Sequence, residues 1–430
     1  MNDFRRSPVT GLSLLLTGDC NLRCGYCYRR RSGGRMTWAT ARRALEWGLS
    51  AGSSNLEIVF TGGEPLLAFP LIRRAVEFVR GRTAIARQAA AAARGQRTAS
   101  GVLASAARSQ SSTAGISAST ARRQYTAVRR PHFILQTNGM LLDEAALAFL
   151  ARHRVEVRLS LDGLPAAQDL RLRGSFPMLD ALLEQMRTRH PRLYRRDLMI
   201  SMTALPQTVG RLADSVRYFL DRGVTRIGIA PSLATTGSWR PERITELRDQ
   251  FREIRRLGLD RYRASADIPV LALRGRPTPP FLRFPDRALC NVGAGTTPAV
   301  NANGRVLGCV MLNRKALAAG EPWLARELRR LRIGKITDPD LPSRVSGFRG
   351  RAIRSRLLIR KGSKRSAYGR CAECPAIADC LVCPVSIGLQ AGNEDPDRIP
   401  DFVCAFMRTA WEARRRFQRE IARRPADAIA

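Results

Sequence analysis

The clearest chemistry in this sequence lies in its ten cysteines. Three form a C-x3-C-x2-C group, Cys20, Cys24 and Cys27. Three thiolates this close can hold three irons of a 4Fe-4S cube and leave the fourth iron open to an outside molecule. A structural zinc site would want a fourth ligand nearby, and the histidines, His132, His153 and His190, all lie far from the triad in sequence. The other seven cysteines come after a cysteine-free body of 262 residues. They run Cys290-x13-Gly304-x4-Cys309, then Cys371-x2-Cys374-x5-Cys380-x2-Cys383, then Cys404. Seven thiolates exceed the needs of one cluster and suit two, one with four ligands and one with three. The alternative is a zinc knuckle of Cys371, Cys374, Cys380 and Cys383, whose inner gap of five residues is far below that of a zinc ribbon.

Further motifs accompany the triad in order. Phe60-Thr61-Gly62-Gly63-Glu64-Pro65 follows an apolar run, Gln136-Thr137-Asn138-Gly139 ends another, and Ser160-Leu161-Asp162-Gly163 a third. Glu64 can accept bonds from a cationic amino group, and Gly62 and Gly63 allow close backbone approach. The series over residues 10 to 165, with the aromatic Tyr26 inside the triad, resembles the radical SAM superfamily. The resemblance implies a 4Fe-4S cluster on Cys20, Cys24 and Cys27 and S-adenosylmethionine on its open iron. It implies that Glu64 receives the methionine amino group, and it adds Asn138 to the cofactor-binding set. Ser160 and Asp162 suit ribose hydroxyls, although a satisfied strand-end turn would use the same residues. Tyr26 is expected beside the adenine. Arg171 or Arg173 could hold the methionine carboxylate. The family's Asp-x-x-Arg spacing is not reproduced after Asp169, so that choice stays open.

The seven later cysteines resemble a SPASM domain, the C-terminal extension of radical SAM enzymes that mature peptides. The resemblance implies two auxiliary 4Fe-4S clusters, one on Cys290, Cys309 and Cys383 and one on Cys371, Cys374, Cys380 and Cys404. The pattern departs at Cys383, where two residues stand in place of the usual three. The implied activity is cleavage of S-adenosylmethionine to a 5′-deoxyadenosyl radical, followed by hydrogen abstraction from a ribosomally made peptide or protein and then cross-linking or oxidation. The catalytic acid or base is unknown: no carboxylate stands out near the auxiliary motifs. Rival readings are a radical SAM dehydrogenase of a small molecule and a basic nucleic-acid-binding metalloprotein.

These motifs need strand ends to stand on. Strands are expected at Leu12 to Leu16, Leu56 to Phe60, Phe133 to Thr137, Val155 to Leu161, Leu198 to Thr203 and Thr225 to Ala230. Helices are expected at Trp38 to Leu49, Leu71 to Arg80, Asp143 to Arg152, Met178 to Thr188, Gly210 to Arg222 and Glu242 to Leu257. Alternating strands and helices imply a parallel α/β sheet with right-handed crossovers. Six repeats fit a partial (β/α)6 TIM-like barrel, which places the motifs on its functional face. The expected organisation is a barrel over 1–260, a linker over 261–284, a SPASM domain over 285–410 and a basic helix or tail over 411–430. Residues 82–130, rich in Ala, Ser, Thr and Arg without Asp or Glu, read as a disordered or weakly helical insertion. Residues 343–370 form a second basic insertion, with ten basic residues and no acidic ones.

Charge sets the remaining bounds. Lys plus Arg is 73 against 36 Asp plus Glu, a net charge of +37, and only four of the basic residues are lysine. Such a surface attracts acidic partners. Aromatic residues are 6% and no nucleic-acid module is recognisable, so nucleic acid is not the expected partner. An acidic leader peptide, held near the two basic segments, is. Nineteen residues precede Cys20, too few for a leader-recognition domain, so a separate recognition protein could serve, with a flavodoxin- or ferredoxin-type electron donor. No apolar run approaches a membrane span and the N-terminus lacks a cleavable signal, so a cytoplasmic location is expected.

Overall fold

The computed structural model describes residues 9–101, 131–233, 239–275, 292, 295–313, 320–352, 354–355, 357–358 and 361–423. Cys290, residues 102–130 of the first basic stretch, residues 276–284 of the expected linker and residues 424–430 lie outside them.

Strands and helices alternate through the first half: β1 (Val9–Leu15), α1 (Trp38–Ala51), β2 (Gly52–Thr61), α2 (Phe69–Gly101), β3 (His132–Thr137), α3 (Glu144–His153), β4 (Val155–Ser160), α4 (Phe176–Arg189), β5 (Leu198–Ala204), α5 (Leu212–Asp221), β6 (Ile227–Pro231) and α6 (Pro241–Ser265). The six strands are parallel and neighbour one another in chain order. Parallel strands bury both faces, which is why each reads as an apolar run. Leu12, Leu14, Ile58, Phe60, Phe133, Leu135, Val157 and Leu159 have no exposure. Phe60 and Phe133 stack with centroids 6.2 Å apart, and each such ring stabilises the fold by about 1.5–3 kcal/mol. Side-chain caps start the helices where the sequence supplies them. Thr37 Oγ1 accepts from Thr40 N, and Asp143 Oδ1 from Ala146 N at 2.7 Å. Helix α2 runs on to Gly101, well past Arg80. Its extension is Ala-rich, and alanine is the strongest helix former.

The sheet does not stop at six strands. β7 (Ala299–Asn301) pairs parallel to β1 on the edge opposite β2, with Ser13 beside Ala299 and Leu15 beside Asn301. β8 (Arg305–Leu307) and β9 (Arg332–Lys335) follow antiparallel, making one nine-stranded sheet. The glycine of the Cys290–Cys309 motif turns this hairpin. Gly304 takes φ of 72°, and Asn301 Oδ1 accepts from the backbone N–H groups of Asn303 and Arg305. Helices α7 (Pro322–Arg330), α8 (Leu341–Ala352) and α9 (Pro384–Leu389) follow. Helix α10 (Asp401–Ala422) carries Cys404 and packs back on α6, with Phe251 against Phe406 at 5.4 Å. Among the described residues no helix is long and apolar enough to cross a membrane.

Candidate active site

The triad loop leaves β1 at its C-terminal end, and the loops after β2 and β3 close upon it. Thr17 Oγ1 donates to Gly34 O and accepts from Asp19 N, which shapes the start of the loop. Gly63 N donates to Thr17 O and Glu64 N to Asp19 O, both at 2.8 Å. A Cβ on Gly63 would lie 1.9 Å from Asp19 O, and one on Gly62, whose φ is 145°, would lie 2.4 Å from Thr17 O. The close approach these glycines allow is therefore to the chain's own triad loop.

Glu64 is almost wholly buried, at 1% exposure. Its Oε1 accepts from Leu66 N at 3.0 Å and from Thr137 Oγ1 at 2.8 Å, and its Oε2 from Asn138 N at 2.9 Å. Burial raises its pKa against the pull of these three donors. A carboxylate offers about four acceptor sites, so one is left for a cation. Asn138 closes the circuit: its Nδ2 donates to Asn21 Oδ1 at 2.8 Å and lies 3.9 Å from Cys20 Sγ. Glu64 thus joins three motif loops.

Burial is the largest cause of the raised pKa values of Cys20 and Cys24, and the charge of neighbouring triad thiolates adds to each. Cys27 is exposed and Cys20 and Cys24 half-buried. Among the described residues no group of three or more His, Cys, Asp or Glu converges tightly enough for a single metal ion. The donor set is three thiols on one loop, the chemistry that holds iron–sulfur clusters.

A second network lies behind the triad. Asp162, with 2% of its side chain exposed, receives Arg171 in a bidentate pair, Nε to Oδ2 and Nη2 to Oδ1, both at 2.8 Å. Thr203 N donates to Oδ1 at 2.8 Å, and the Tyr26 hydroxyl donates to Oδ2. Arg171 also reaches Thr203 Oγ1 at 3.3 Å and lies over the Tyr26 ring. Burial opposes the charge on Arg171, but the carboxylate outweighs it and holds the guanidinium above its ordinary pKa. The Tyr26 hydroxyl is raised by burial and then by Asp162. Four donors saturate Asp162. Ser160 is half-buried at the end of β4 and Arg173 is exposed. Residue types and spacing gave no sign of the Asp162–Arg171–Tyr26 network, whose members come from two loops, the triad loop and the one between β4 and α4.

The C-terminal cysteines separate into two groups. Cys371, Cys374, Cys380 and Cys404 line one cavity of about 30 Å³. Burial pushes Cys371 up to about 12 and Cys380 up to about 11, with the neighbouring thiols adding to each. Cys383 is outside that cavity; burial pushes it up to about 11, and the thiol that adds to it is Cys309. This arrangement does not form the knuckle of Cys371, Cys374, Cys380 and Cys383. Cys290 lies outside the described residues.

A larger cleft, of about 1220 Å³, opens between the triad loop and β7–β9. Arg30, Arg31, Arg305, Arg332 and Lys335 line it, with Asp338 as its carboxylate. A small cavity sharing Arg30, Ser32, Asn301 and Asn313 with the cleft reaches Gly18 and Gly63 at the motif loops.

The sequence pattern of the Radical SAM superfamily matches residues 14–192, which form a radical SAM domain. An uncharacterized protein of Methanocaldococcus jannaschii, MJ0907, is 41% identical over 68 residues, 16% of this chain and 23% of that protein. The chain thus spans about a quarter of the length of this curated relative. The solved structure of native anSMEcpe with bound AdoMet is similar over 98% of this chain and 100% of its own, at a TM-score of 0.62 and 16% identity. That of native anSMEcpe with bound AdoMet and Kp18Cys peptide covers 96% and 99%, at 0.64 and 16%. Streptococcus suis SuiB bound to S-adenosylmethionine is similar over 93% of this chain and 77% of its own, at 0.51 and 14%. At such identities the likeness is one of fold, and it extends through the C-terminal extension.

Proposed function

We propose, from the premise that residues 14–192 form a radical SAM domain, that this chain is a SPASM-type enzyme that cross-links or oxidises a ribosomally made peptide or protein. When bound, the N-terminal cluster and S-adenosylmethionine would supply a 5′-deoxyadenosyl radical able to take hydrogen from an unactivated C–H bond. Cys20, Cys24 and Cys27 would hold that cluster. Glu64 would use its remaining acceptor site for the methionine amino group. Ser160 would meet a ribose hydroxyl, and Asp162 could join it only by giving up one of its four donors. Tyr26, with its hydroxyl fixed on Asp162, would present its ring to the adenine. Arg171 is committed to Asp162, so the exposed Arg173 is the better candidate for the methionine carboxylate. The auxiliary clusters would sit on Cys371, Cys374, Cys380 and Cys404, and on Cys309 and Cys383 with Cys290.

The observation that carries this reading is Glu64. It binds the triad loop through its N–H and the turn after β3 through its carboxylate, so three loops act as one cradle. The peptide part of the reading rests on the basic cleft that opens toward this cradle and suits an acidic leader. Among the described residues no aromatic lines the cleft, whereas single-stranded nucleic acid is held by stacking on aromatics as well as by charge. Electrons would come from a flavodoxin- or ferredoxin-type donor, and a separate leader-recognition protein could deliver the peptide.

The test is anaerobic reconstitution with co-expressed short peptides from neighbouring genes, followed by mass measurement. A peptide lighter by two hydrogens supports the proposal. Replacing Cys20, Cys24 and Cys27 with Ala should abolish 5′-deoxyadenosine formation and leave roughly two clusters per chain. A triple variant that still cleaves S-adenosylmethionine would overturn the site assignment.

A further inference from the structure

Two of the three lysines among the described residues are almost wholly buried: Lys361 and Lys364, at 1% exposure each. In a chain that uses arginine nearly everywhere else, both belong to one turn beside the four-cysteine cavity. A buried ammonium is costly unless hydrogen bonds or charge compensate it. Lys364 Nζ donates to Pro396 O and pairs with Asp397 Oδ1, both at 2.9 Å. Lys361 Nζ donates to Ile377 O at 2.7 Å, and its side chain lines the cavity with Cys371, Cys374, Cys380 and Cys404. The turn is tied to the cysteine loop, since Cys371 N donates to Lys364 O at 2.9 Å. Arg408 lines the same cavity.

The rest of the lining is apolar: Ala376, Ile377, Val382, Ile399 and Met407. Four thiolates around a doubly positive iron–sulfur core leave a dianion, and reduction adds a further negative charge. Net charge, hydrogen bonding and solvent exposure set a cluster's reduction potential. In so dry a cavity a fixed cation acts at low dielectric and weighs heavily. A lysine also places a compact charge where the broad guanidinium of arginine needs more room.

We propose that Lys361, assisted by Arg408, is the built-in counter-charge of the auxiliary cluster on Cys371, Cys374, Cys380 and Cys404. Its function is to raise that cluster's reduction potential, so that the cluster takes up an electron more readily than one on uncompensated thiolates. This rests on the function proposed above. It also gives part of the 343–370 basic segment a role inside the protein.

The test uses the full chain carrying Cys20→Ala, Cys24→Ala and Cys27→Ala, reconstituted anaerobically so that the auxiliary clusters alone report. Redox titration followed by electron paramagnetic resonance is compared with and without Lys361→Met and Arg408→Met. Lys361→Met should disfavour the reduced cluster by about tenfold, a fall of about 59 mV for a one-electron couple. Arg408→Met, at a half-buried position, should lower the potential by less. The second auxiliary cluster should not move and serves as the internal reference. An unchanged potential in both variants overturns the inference. If Lys361→Met fails to load iron, Arg408→Met decides: a lowered potential supports the inference and an unchanged one overturns it. If the parent protein carries no cluster on these four thiols, the proposed function fails first and this inference with it.

Discussion

The Asp162–Arg171 pair makes a sharp claim about which arginine is structural. Replacing Arg171 with Met keeps most of the side chain's length and removes the charge. Two bonds to the carboxylate are lost, with the longer one to Thr203 Oγ1. Asp162 then stays buried with only Thr203 N and the Tyr26 hydroxyl as donors. Removing one partner of a buried ion pair costs about 3–5 kcal/mol. The two surviving donors place this case at the low end, at about 3 kcal/mol. At roughly 2–4 °C per kcal/mol for a unit the size of this barrel, its melting transition should fall by about 6–12 °C. The assay is far-UV circular dichroism on the reconstituted protein without S-adenosylmethionine. Asp162→Asn combined with Arg171→Met should cost less than the two single changes added together, because neither charge is then left alone. Arg173→Met, at an exposed position, should melt like the parent and weaken S-adenosylmethionine binding in calorimetry. The reasoning is refuted if Arg171→Met melts within about 1 °C of the parent yet loses S-adenosylmethionine binding. The guanidinium would then belong to the ligand and the ion pair would be incidental.

Three further outcomes follow from the geometry. Gly63→Ala puts a methyl group 1.9 Å from Asp19 O, so the triad loop must move; reconstituted iron should fall by about one cluster in three while the auxiliary clusters persist. Glu156 is buried between Arg158 at 2.7 Å and Arg226 at 2.9 Å. Burial alone would raise its pKa, but the two guanidinium groups outweigh that and lower it. Its stabilisation is therefore present above the unfolded carboxyl value of about 4.3 and is lost as pH falls through the lower folded value. Urea midpoints measured at pH 7 and at successively lower pH should converge for Glu156→Gln and its parent as the pH drops. Arg305→Glu with Arg332→Glu reverses two charges in the basic cleft. Fluorescence anisotropy with a labelled glutamate-rich peptide should show weaker binding and a shallower salt dependence than the parent, with 5′-deoxyadenosine formation in the absence of peptide unchanged.

What the sequence made legible has a physical pattern. The six parallel strands stood out because a strand buried on both faces is an unbroken apolar run, as in Phe133-Ile134-Leu135. Strands β7 to β9 did not, since three or four residues are too few to show a period. Gly304 was visible as a spacing, but its purpose, a left-handed turn within a hairpin, appeared only when β7 paired with β8. Spacing also could not sort the cysteines by itself. Cys380 and Cys383 are neighbours in sequence, yet one joins Cys404 across the fold and the other joins Cys309. Asp162 and Arg171 are nine residues apart, and Asp169, which stands nearer the arginine, drew attention away from the real partner. Net charge misled in a different way. Counting +37 treats every cation as surface, and residues 343–370 looked like a uniformly basic addition. Burial is a property of the whole fold rather than of a segment, so only the structure could turn Lys361 and Lys364 inward and set one of them against four thiols. In a chain this rich in arginine, the informative basic residues are the few that are not arginine. Lys361 fills a space where a compact ammonium fits, and that space adjoins the cysteines.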